Sequence, residues 1–284
     1  MNHLITITKS DGTKELFEEE KLVSSLKRVG ANPDAIEHIV DEVEKNMHEG
    51  MTTTDIYRLA FVLLRTHAKH VAVRYSVRRA LAELGPDGFP FEKFVARIFQ
   101  TWGYEAITDQ QVMGSCIEHE MDVVAWKGDT LAMVEAKFHN ELILKSDIKV
   151  ALYIKARFDD IALNKFNYGG VTRSLTERWL FTNTKFTEQA IKYGTCNNLR
   201  MIGWNHPQHD NLHEIIEKYK LFPITCVTGL THNQKRDLVG RGIILCTDAI
   251  ARPEVLKSIG LNDVALQSIL AEAHAVLNGA TKNE

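Results

Sequence analysis

The sequence has few cysteines, and they lie far apart. Its 284 residues include Cys116, Cys196, Cys226 and Cys246, and no two of them form a Cys-x-x-Cys pair. Structural zinc sites usually take their ligands from such close pairs, so the spacing argues against one. Scattered thiols are typical of a protein kept in a reducing compartment, and we therefore expect a cytoplasmic location.

Long apolar runs are missing as well. No stretch has the roughly 18 to 20 consecutive apolar residues that a membrane-spanning helix needs. The opening residues Met1-Asn2-His3-Leu4 lack the positive charge and the apolar run of a secretory signal. We expect a protein that has no membrane partner.

Positive charge is not in excess in any part of the chain. Residues 1–90 carry 12 basic and 14 acidic side chains, residues 91–220 carry 16 and 17, and residues 221–284 carry 6 of each, for a net charge of −3. Nucleic-acid-binding domains usually present a basic surface. An interface with nucleic acid would therefore have to be a local patch.

The chain is long enough for several domains, and two breaks divide it. Gly85-Pro86-Asp87-Gly88-Phe89-Pro90 interrupts a helical pattern, and Leu221-Phe222-Pro223 follows another. We place the boundaries so that the domains are residues 1–88, 89–222 and 223–284. Helices that alternate with strands in the middle segment predict a multi-domain protein of the α/β class.

The first segment reads as a β-hairpin followed by four helices. Ile5–Thr8 and Lys14–Phe17 alternate around Asp11-Gly12, a strong hairpin signal. Helical spacing then covers 21–29, 33–48 with Asn32 as its cap, and 71–84. Between the last two, a helix should begin near Thr53 or Thr54, whose hydroxyl would cap it.

The second segment begins with a helix and continues as strands and helices. Apolar residues at helical spacing predict a helix from Phe91 that ends at Gly103, and Lys127-Gly128-Asp129 predicts a hairpin turn. Further helices are predicted over 147–158, 187–193 and 211–218, with short buried strands over 179–183 and 199–204. The third segment reads as short helices separated by glycines.

Glu135-Ala136-Lys137 stands out because it places two charges in an apolar, strand-like run. Residues two apart on a strand share a face, so Glu135 and Lys137 point the same way. Asp122 opens the preceding apolar run and should stand beside them. Two carboxylates and the Ala136 carbonyl are oxygen ligands of the kind that Mg²⁺ prefers. A cross-strand salt bridge is the alternative.

The middle segment resembles the Mrr-like branch of the PD-(D/E)xK nucleases over roughly residues 89–205. The resemblance is carried by a leading helix with Phe91-Glu92-Lys93-Phe94-Val95, by Gly103-Tyr104, by Asp122-Val123-Val124-Ala125 and by Val134-Glu135-Ala136-Lys137. It implies a mixed central sheet in a restriction-endonuclease-like core. It also implies that Asp122 and Glu135 hold magnesium and that Lys137 orients the attacking water. The family often has small residues before the Asp, where this chain has Glu118-His119-Glu120-Met121.

For several other side chains of this segment, the sequence leaves two possible roles open. Glu92 either reaches the metal side of the site or is a solvated helix charge. His119 either supports the metal or phosphate, or is a partly exposed loop histidine. Lys149, Lys155 and Arg157 either line a DNA groove or form a solvated helix face. The group His206, His209, Asp210 and His213 suggests zinc, but its spacing fits no standard site.

The first segment resembles the ATP cone, a nucleotide-sensing module of ribonucleotide reductases and their repressors, over nearly all of residues 3–84. The matching stretches are Lys9-Ser10-Asp11-Gly12, Gly50 with Thr53-Thr54-Asp55-Ile56, and Tyr75 with Arg78-Arg79. The resemblance implies bound ATP or dATP, control of activity, and a homo-oligomer. The residues expected to bind the nucleotide are Lys9, Gly12, Glu15, Phe17, Lys21, Leu22 and Thr53. The family commonly has Arg where this chain has Ser10.

Together these patterns predict a Mg²⁺-dependent DNA endonuclease that is controlled by ATP or dATP, in restriction, defence or repair. The third segment looks like a helix-hairpin-helix module, whose turns can meet DNA phosphates. Two alternatives stay open at this point. One is a nucleotide-responsive DNA-binding regulator with an inactive nuclease core, although this chain lacks the four-cysteine ribbon of cone-bearing repressors. The other is an RNase that uses the same site.

Overall fold

The computed structural model describes residues 5–9, 12–28, 31–67 and 76–278. The N-terminal part is a hairpin of β1 (Thr6–Thr8) and β2 (Lys14–Leu16), in which Ile7 pairs with Glu15. Three helices follow: α1 (Glu19–Arg28), α2 (Pro33–Asn46) and α3 (Thr53–His67). Their apolar faces enclose a core of their own, whose centre includes Leu26, Ile39 and Leu64. The tip of the predicted turn, residues 10–11, lies outside the described residues.

The helix caps of this part were predicted with mixed success. The Asn32 side chain accepts a hydrogen bond from the Ala35 N–H at 2.7 Å, which confirms it as the cap of α2. The cap of α3 was predicted wrongly, because Thr52 and not Thr53 or Thr54 plays this role. Its hydroxyl accepts from the Asp55 N–H at 3.1 Å and donates to the Asp55 carboxylate at 2.6 Å. The next helix, α4, is Val77–Ala82, and the start predicted at residue 71 lies outside the described residues.

The middle part is built around a five-stranded mixed sheet with the order β11-β9-β5-β4-β3. Strands β3 (Glu105–Met113), β4 (Glu118–Lys127) and β5 (Thr130–Lys137) run antiparallel, whereas β9 (Glu177–Thr182) and β11 (Arg200–Ile202) run parallel to β5. The mixed sheet between helices confirms the α/β class. Strand β3 was not predicted, because this edge strand is largely polar and half-exposed.

Helices cover both faces of this sheet. On one side lies α5 (Phe89–Thr101), which the sequence predicted, and on the other lie α6 (Ile148–Ile161) and α7 (Glu188–Cys196). Two small ladders flank the sheet, a parallel pair of β6 (Lys145–Ser146) with β10 (Lys185–Phe186) and an antiparallel hairpin of β7 (Lys165–Tyr168) with β8 (Val171–Ser174). Helix α8 is Leu212–Tyr219, with Asn211 as its cap.

The C-terminal part is helical and shares its core with the middle part. It contains a 3₁₀ turn (Ile224–Cys226) and helices α9 (His232–Gly240), α10 (Cys246–Ala251), α11 (Pro253–Ser258) and α12 (Asp263–Asn278). One continuous apolar cluster, core 1, joins these helices to α4, α5, α8 and one sheet face. The Thr225 hydroxyl donates to the Ala80 carbonyl at 2.6 Å inside it. The domain boundaries at 88 and 222 stay predictions, and the packing crosses both.

No helix in the described ranges is both long and apolar enough to cross a bilayer.

Because core 1 is continuous, a cavity in the C-terminal part should destabilise the middle part too. Leu238 of α9 is fully buried, and we expect Leu238→Ala to lower the free energy of unfolding by about 2–5 kcal/mol. All four tryptophans lie between residues 102 and 204, so tryptophan fluorescence during urea unfolding reports the middle part. Val264→Ala, at a side chain 82% exposed, is the control and should leave the curve unchanged. An unchanged tryptophan midpoint in Leu238→Ala would show that the two parts unfold separately.

Candidate active site

Asp122 and Glu135 meet where β4 and β5 separate. The ladder between these strands runs from Lys127–Thr130 to Val123–Val134, and the next residues along the two strands are Asp122 and Glu135. Their carboxyl groups are close enough for each to change the pKa of the other. The Ala136 N–H donates to Asp122 Oδ2 at 2.6 Å, so a side chain takes the place of the missing strand partner.

A bend in the sheet accompanies this separation. The β3–β4 ladder has pairs on either side of Asp109 and Asp122 but none between these two residues, and Asp109 has φ +58°. Met121 and Val124 both pack in the core under α6 and α7, which regular alternation would not allow. Asp122 was expected to open its strand, and this was wrong. It lies in the middle of β4, at an interruption of the pleat.

Arg157 of α6 completes the immediate surroundings of Glu135. Its guanidinium donates to the Glu135 carboxylate and to the Glu120 carbonyl. The Arg157 and Glu135 side chains are 13% and 12% exposed, so this is a largely buried ion pair. Neither reading given to Arg157 from the sequence, a groove or a solvated face, matches this position. Lys155 pairs with Asp159 at 2.7 Å instead, and Lys149 is exposed.

Glu92 is the third carboxylate of the cluster. It lies in the first turn of α5, where a Cβ added to Gly88 would come within 3.3 Å of Glu92 Oε1 and 4.0 Å of Phe138 Cβ. The half-buried carboxyl is close enough to Asp122 for their charges to repel. Of the two readings of Glu92, the structure supports the one that brings it towards Asp122.

The three carboxyl groups hold their protons more tightly than usual. Burial, followed by repulsion from Asp122, raises the pKa of Glu135 to about 8. Burial and the charge of Asp122 raise the pKa of Glu92 to about 7. Burial also raises the pKa of Asp122, although the Ala136 N–H and Arg157 act in the opposite direction. The cluster therefore has more negative charge than Arg157 balances.

This surplus of oxygen ligands and negative charge fits a hard divalent cation. Asp122, Glu135 and the Ala136 carbonyl are the donors that would hold Mg²⁺. Among the described residues, no three His, Cys, Asp or Glu side chains lie close enough together to bind a metal by themselves. Backbone, water and substrate oxygens would have to complete the coordination. Arg157 occupies the place of a cation beside Glu135.

Lys137 is the last residue of β5 and lies opposite Thr182 of β9. Its side chain is exposed, and within the described part of the chain its ammonium makes no hydrogen bond or ion pair. Burial and the charge of Lys137 lower the pKa of nearby His139. An exposed ammonium two residues after Glu135 on the same strand is available to a substrate.

A buried polar network supports this edge of the sheet, and the sequence analysis missed it. The Ser146 hydroxyl bonds to His139 Nε2 at 3.0 Å and to Thr182 Oγ1 at 3.2 Å. The Asn183 side chain accepts from the His139 N–H at 2.8 Å and donates to the His139 carbonyl at 2.7 Å. Buried polar groups must be paired. The sequence did contain a signal for this network, because the polar run Thr182-Asn183-Thr184 stands at the end of the apolar strand β9.

His119 is engaged elsewhere. It lies on β4, is 8% exposed, and its Nε2 bonds to Asp160 Oδ2 at 2.8 Å. This contact is the main reason why the pKa of Asp160 is lowered to about 2. Asp160 also accepts from the Cys116 N–H at 2.8 Å, so the pair holds the β3–β4 loop against α6. The reading of His119 as a partly exposed loop histidine is therefore wrong, because the residue is buried on β4. The structure places its ring against Asp160, and its role at the metal or phosphate stays a prediction.

The predicted histidine group does not form a metal site in the described residues. The ring of His206 packs edge-on against Phe186 with centroids 6.0 Å apart, and His213 lies 5.0 Å from the Trp204 ring. These two rings pack against neighbouring aromatic side chains.

The cone residues fall into four places. Glu15 accepts from Lys9 at 2.6 Å and lies 3.5 Å from the Lys21 ammonium, and Lys9 is the largest cause of the lowered pKa of Glu15. Phe17 and Leu22 pack in the cone core. Gly12 has a positive φ of +83° at the end of the hairpin turn. Thr53 lines a cavity of about 500 Å³ on α3. Strand β1 links these places, because Thr8 bridges to Thr52.

Comparison with known proteins agrees with this arrangement. Family models match an ATP cone domain over residues 5–83, a restriction endonuclease domain of the Mrr type over 85–207, and the AF1548-like C-terminal domain over 222–277. An uncharacterised protein of Archaeoglobus fulgidus is 35% identical over 184 residues, which is 64% of this chain and 99% of that protein.

A solved structure is also similar to this chain. The crystal structure of AF1548, a protein of unknown function, is 34% identical and has a TM-score of 0.56, over 68% of this chain and all of that one. The chain therefore belongs to the family in which an Mrr-type restriction-endonuclease domain is followed by an AF1548-like C-terminal domain, and it carries an ATP cone in front of them.

Proposed function

We propose that this protein is a Mg²⁺-dependent DNA endonuclease whose activity responds to ATP or dATP bound by the cone. The observation that carries the proposal is the cluster of Asp122, Glu135 and Glu92, whose pKa values are raised, at β5, the strand that ends at Lys137. Raised pKa values of clustered acids are characteristic of functional sites. The Mrr-type domain gives the reaction class, and restriction, defence and repair are the settings that fit it.

The chain's own residues supply most of the machinery for phosphodiester hydrolysis. Magnesium held by Asp122, Glu135 and the Ala136 carbonyl would supply Lewis acidity and an activated water. The Lys137 ammonium orients the attacking water and offsets negative charge on the phosphate. Glu92, with a pKa of about 7, holds or releases a proton near neutral pH. The network under Thr182 keeps the end of β5 in place.

Removal of the Lys137 ammonium should abolish cleavage without harming the fold. We expect Lys137→Ala to cleave plasmid DNA at least about 100-fold more slowly in Mg²⁺, because a charge aimed at the reacting phosphate is lost. Lys165→Ala, at an exposed lysine of β7, is the matched control. Equal nicking by both variants and the wild type would remove Lys137 from the site. Parallel assays with RNA decide whether the protein is an RNase that uses the same site.

One observation favours a second candidate function. Arg157 already pairs with Glu135, which is how an inactive nuclease core could neutralise its carboxylates. The protein would then be a nucleotide-responsive DNA-binding regulator. Wild-type protein that binds DNA tightly but cleaves neither DNA nor RNA in Mg²⁺ or Mn²⁺ would establish this alternative.

The carboxylate cluster makes a prediction about pH. The pKa of Glu135 is about 8 and that of Glu92 about 7 in the folded protein, against a usual 4.5 in the unfolded chain. The folded protein therefore binds more protons over this range, and the free energy of unfolding falls as pH rises from about 4.5 to about 8. We expect the thermal midpoint in EDTA to fall across this window, and Mg²⁺ to stabilise the protein most at its alkaline end.

Glu135→Gln is the variant that checks this prediction, because glutamine cannot ionise. We expect it to flatten the decline of the thermal midpoint with pH and to reduce stabilisation by Mg²⁺. Glu105→Gln, at an exposed glutamate of β3, should behave as the wild type. Identical pH slopes for all three proteins would mean that the cluster does not control stability.

The cone makes a prediction about nucleotides. Lys9 pairs with Glu15 at 2.6 Å, and Lys21 pairs with Glu18 at 2.9 Å and lies 3.5 Å from Glu15. Both lysine side chains are exposed, and exposed ion pairs contribute little stability, so a phosphate can replace these carboxylates as their partner. We expect ATP or dATP to raise the thermal midpoint of the wild type, and Lys9→Ala to weaken binding at least about tenfold, since charged hydrogen bonds are lost. Lys14→Ala, on the same hairpin, is the control. Absence of any shift at millimolar nucleotide would contradict the cone proposal. The homo-oligomer stays a prediction.

A further inference from the structure

The cavity that contains Thr53 lies between the cone and the nuclease domain. Its volume is about 500 Å³, within the range of small-molecule sites. One wall is formed by α3 and α4, and the other by the active-site loop, residues 138–144, which joins β5 to β6. Asn140, Leu142 and Ile143 are the loop residues in the wall.

The lining of this cavity suits an anion with a ring system. Arg58, Arg78 and Arg79 contribute three guanidinium groups against one acid, Glu83. Thr53 and Thr54 begin α3, where backbone N–H groups and the helix dipole favour negative charge. Guanidinium groups bind phosphate through paired hydrogen bonds. The Tyr57 ring lies in the same wall.

Two of the arginines are free to change partner. Arg58 pairs with Asp55 at 3.5 Å and Arg79 with Glu83 at 3.1 Å, and the arginine side chains are 68% and 62% exposed. Exposed pairs of this kind contribute little stability, so a phosphate can replace them. Arg78 differs, because its Nε is buried and has no hydrogen-bond partner.

The active-site loop connects the cavity to the carboxylate cluster. It begins directly after Lys137, and its Phe138 ring packs on Phe91 of α5 with centroids 5.7 Å apart. The Asn140 side chain donates to the Pro86 carbonyl at 3.0 Å. Arg78 Nη2 donates to the Leu142 carbonyl at 2.7 Å, so one arginine contacts both the cavity and the loop.

We propose that this interdomain cavity is the place where a nucleotide polyphosphate acts on the nuclease. This inference rests on the nucleotide response proposed above. It names the route by which a bound nucleotide reaches the active site, from the cavity through Arg78 to the active-site loop. The phosphates bind Arg58, Arg78 and Arg79, while Arg78 keeps its bond to the Leu142 carbonyl. The ligand thus cross-links α4 to the active-site loop and orders the residues that follow Lys137. Linkage requires that the ordered loop in turn raises affinity for the nucleotide.

Hydrogen exchange of the full-length protein, read by mass spectrometry, tests this route. The probes are millimolar ATP, dATP and inorganic triphosphate. We expect nucleotide to slow amide exchange in residues 138–144 at least about threefold in the wild type, because the loop opens less often. Arg58→Gln/Arg79→Gln should need at least about tenfold more nucleotide for the same protection. Lys45→Gln is the control, since Lys45 forms a similar exposed pair with Glu42 on α2.

Three outcomes separate the possible failures. Nucleotide that raises the thermal midpoint without protecting residues 138–144 overturns the route but leaves the cone proposal standing. A double variant that responds as Lys45→Gln does overturns the arginine site. Protection that is retained in Lys137→Ala shows that the route does not need cleavage. Protection in a wild type that cleaves nothing supports the route even though the nuclease proposal fails. Protection by triphosphate alone would show that phosphates suffice and that the ring is not needed.

Discussion

The structure depends on a concentration of buried negative charge at one point of the sheet. Strands β4 and β5 part after Val123 and Val134, and the carboxylates of Asp122 and Glu135 fill the gap. Burying ionised groups is costly unless they are paired or bind a cation. Arg157 neutralises part of this charge, and the raised pKa values of Glu92 and Glu135 show that the rest is unbalanced. A fold that maintains such an imbalance holds it ready for a ligand of opposite charge.

The parts of the site that are local in sequence could be predicted. The two-residue turn at Gly128-Asp129 fixes the register of β4 against β5, and this register alone brings Asp122 opposite Glu135. The same holds for α5, because its apolar residues repeat at helical spacing and its end at Gly103 requires a positive φ of +82°. In each case the forces act between residues close together in the chain.

The parts that depend on distant contacts could not be predicted. Arg157 reaches Glu135 from a helix 22 residues further along, and nothing in its neighbours distinguishes it from Lys155, which points to Asp159. His119 is bound by Asp160, 41 residues away. The prediction of the α3 cap failed for a different reason. Three consecutive threonines can each act as a cap, and the bridge from Thr8 to Thr52 selects the first of them.

Core 1 connects the last helix of the cone to the candidate site. Helix α4 belongs to the cone in sequence, but its apolar face is buried with α5 and the C-terminal helices. Because packed cores resist continuous deformation, α4 and α5 move together or not at all. The active-site loop also connects the two helices, because it touches α4 through Arg78 and α5 through Phe138. Core 1 and the hydrogen bonds of His139 hold the start of this loop, so a ligand between the loop and α4 acts on residues 140–144. These residues continue the segment that begins directly after Lys137.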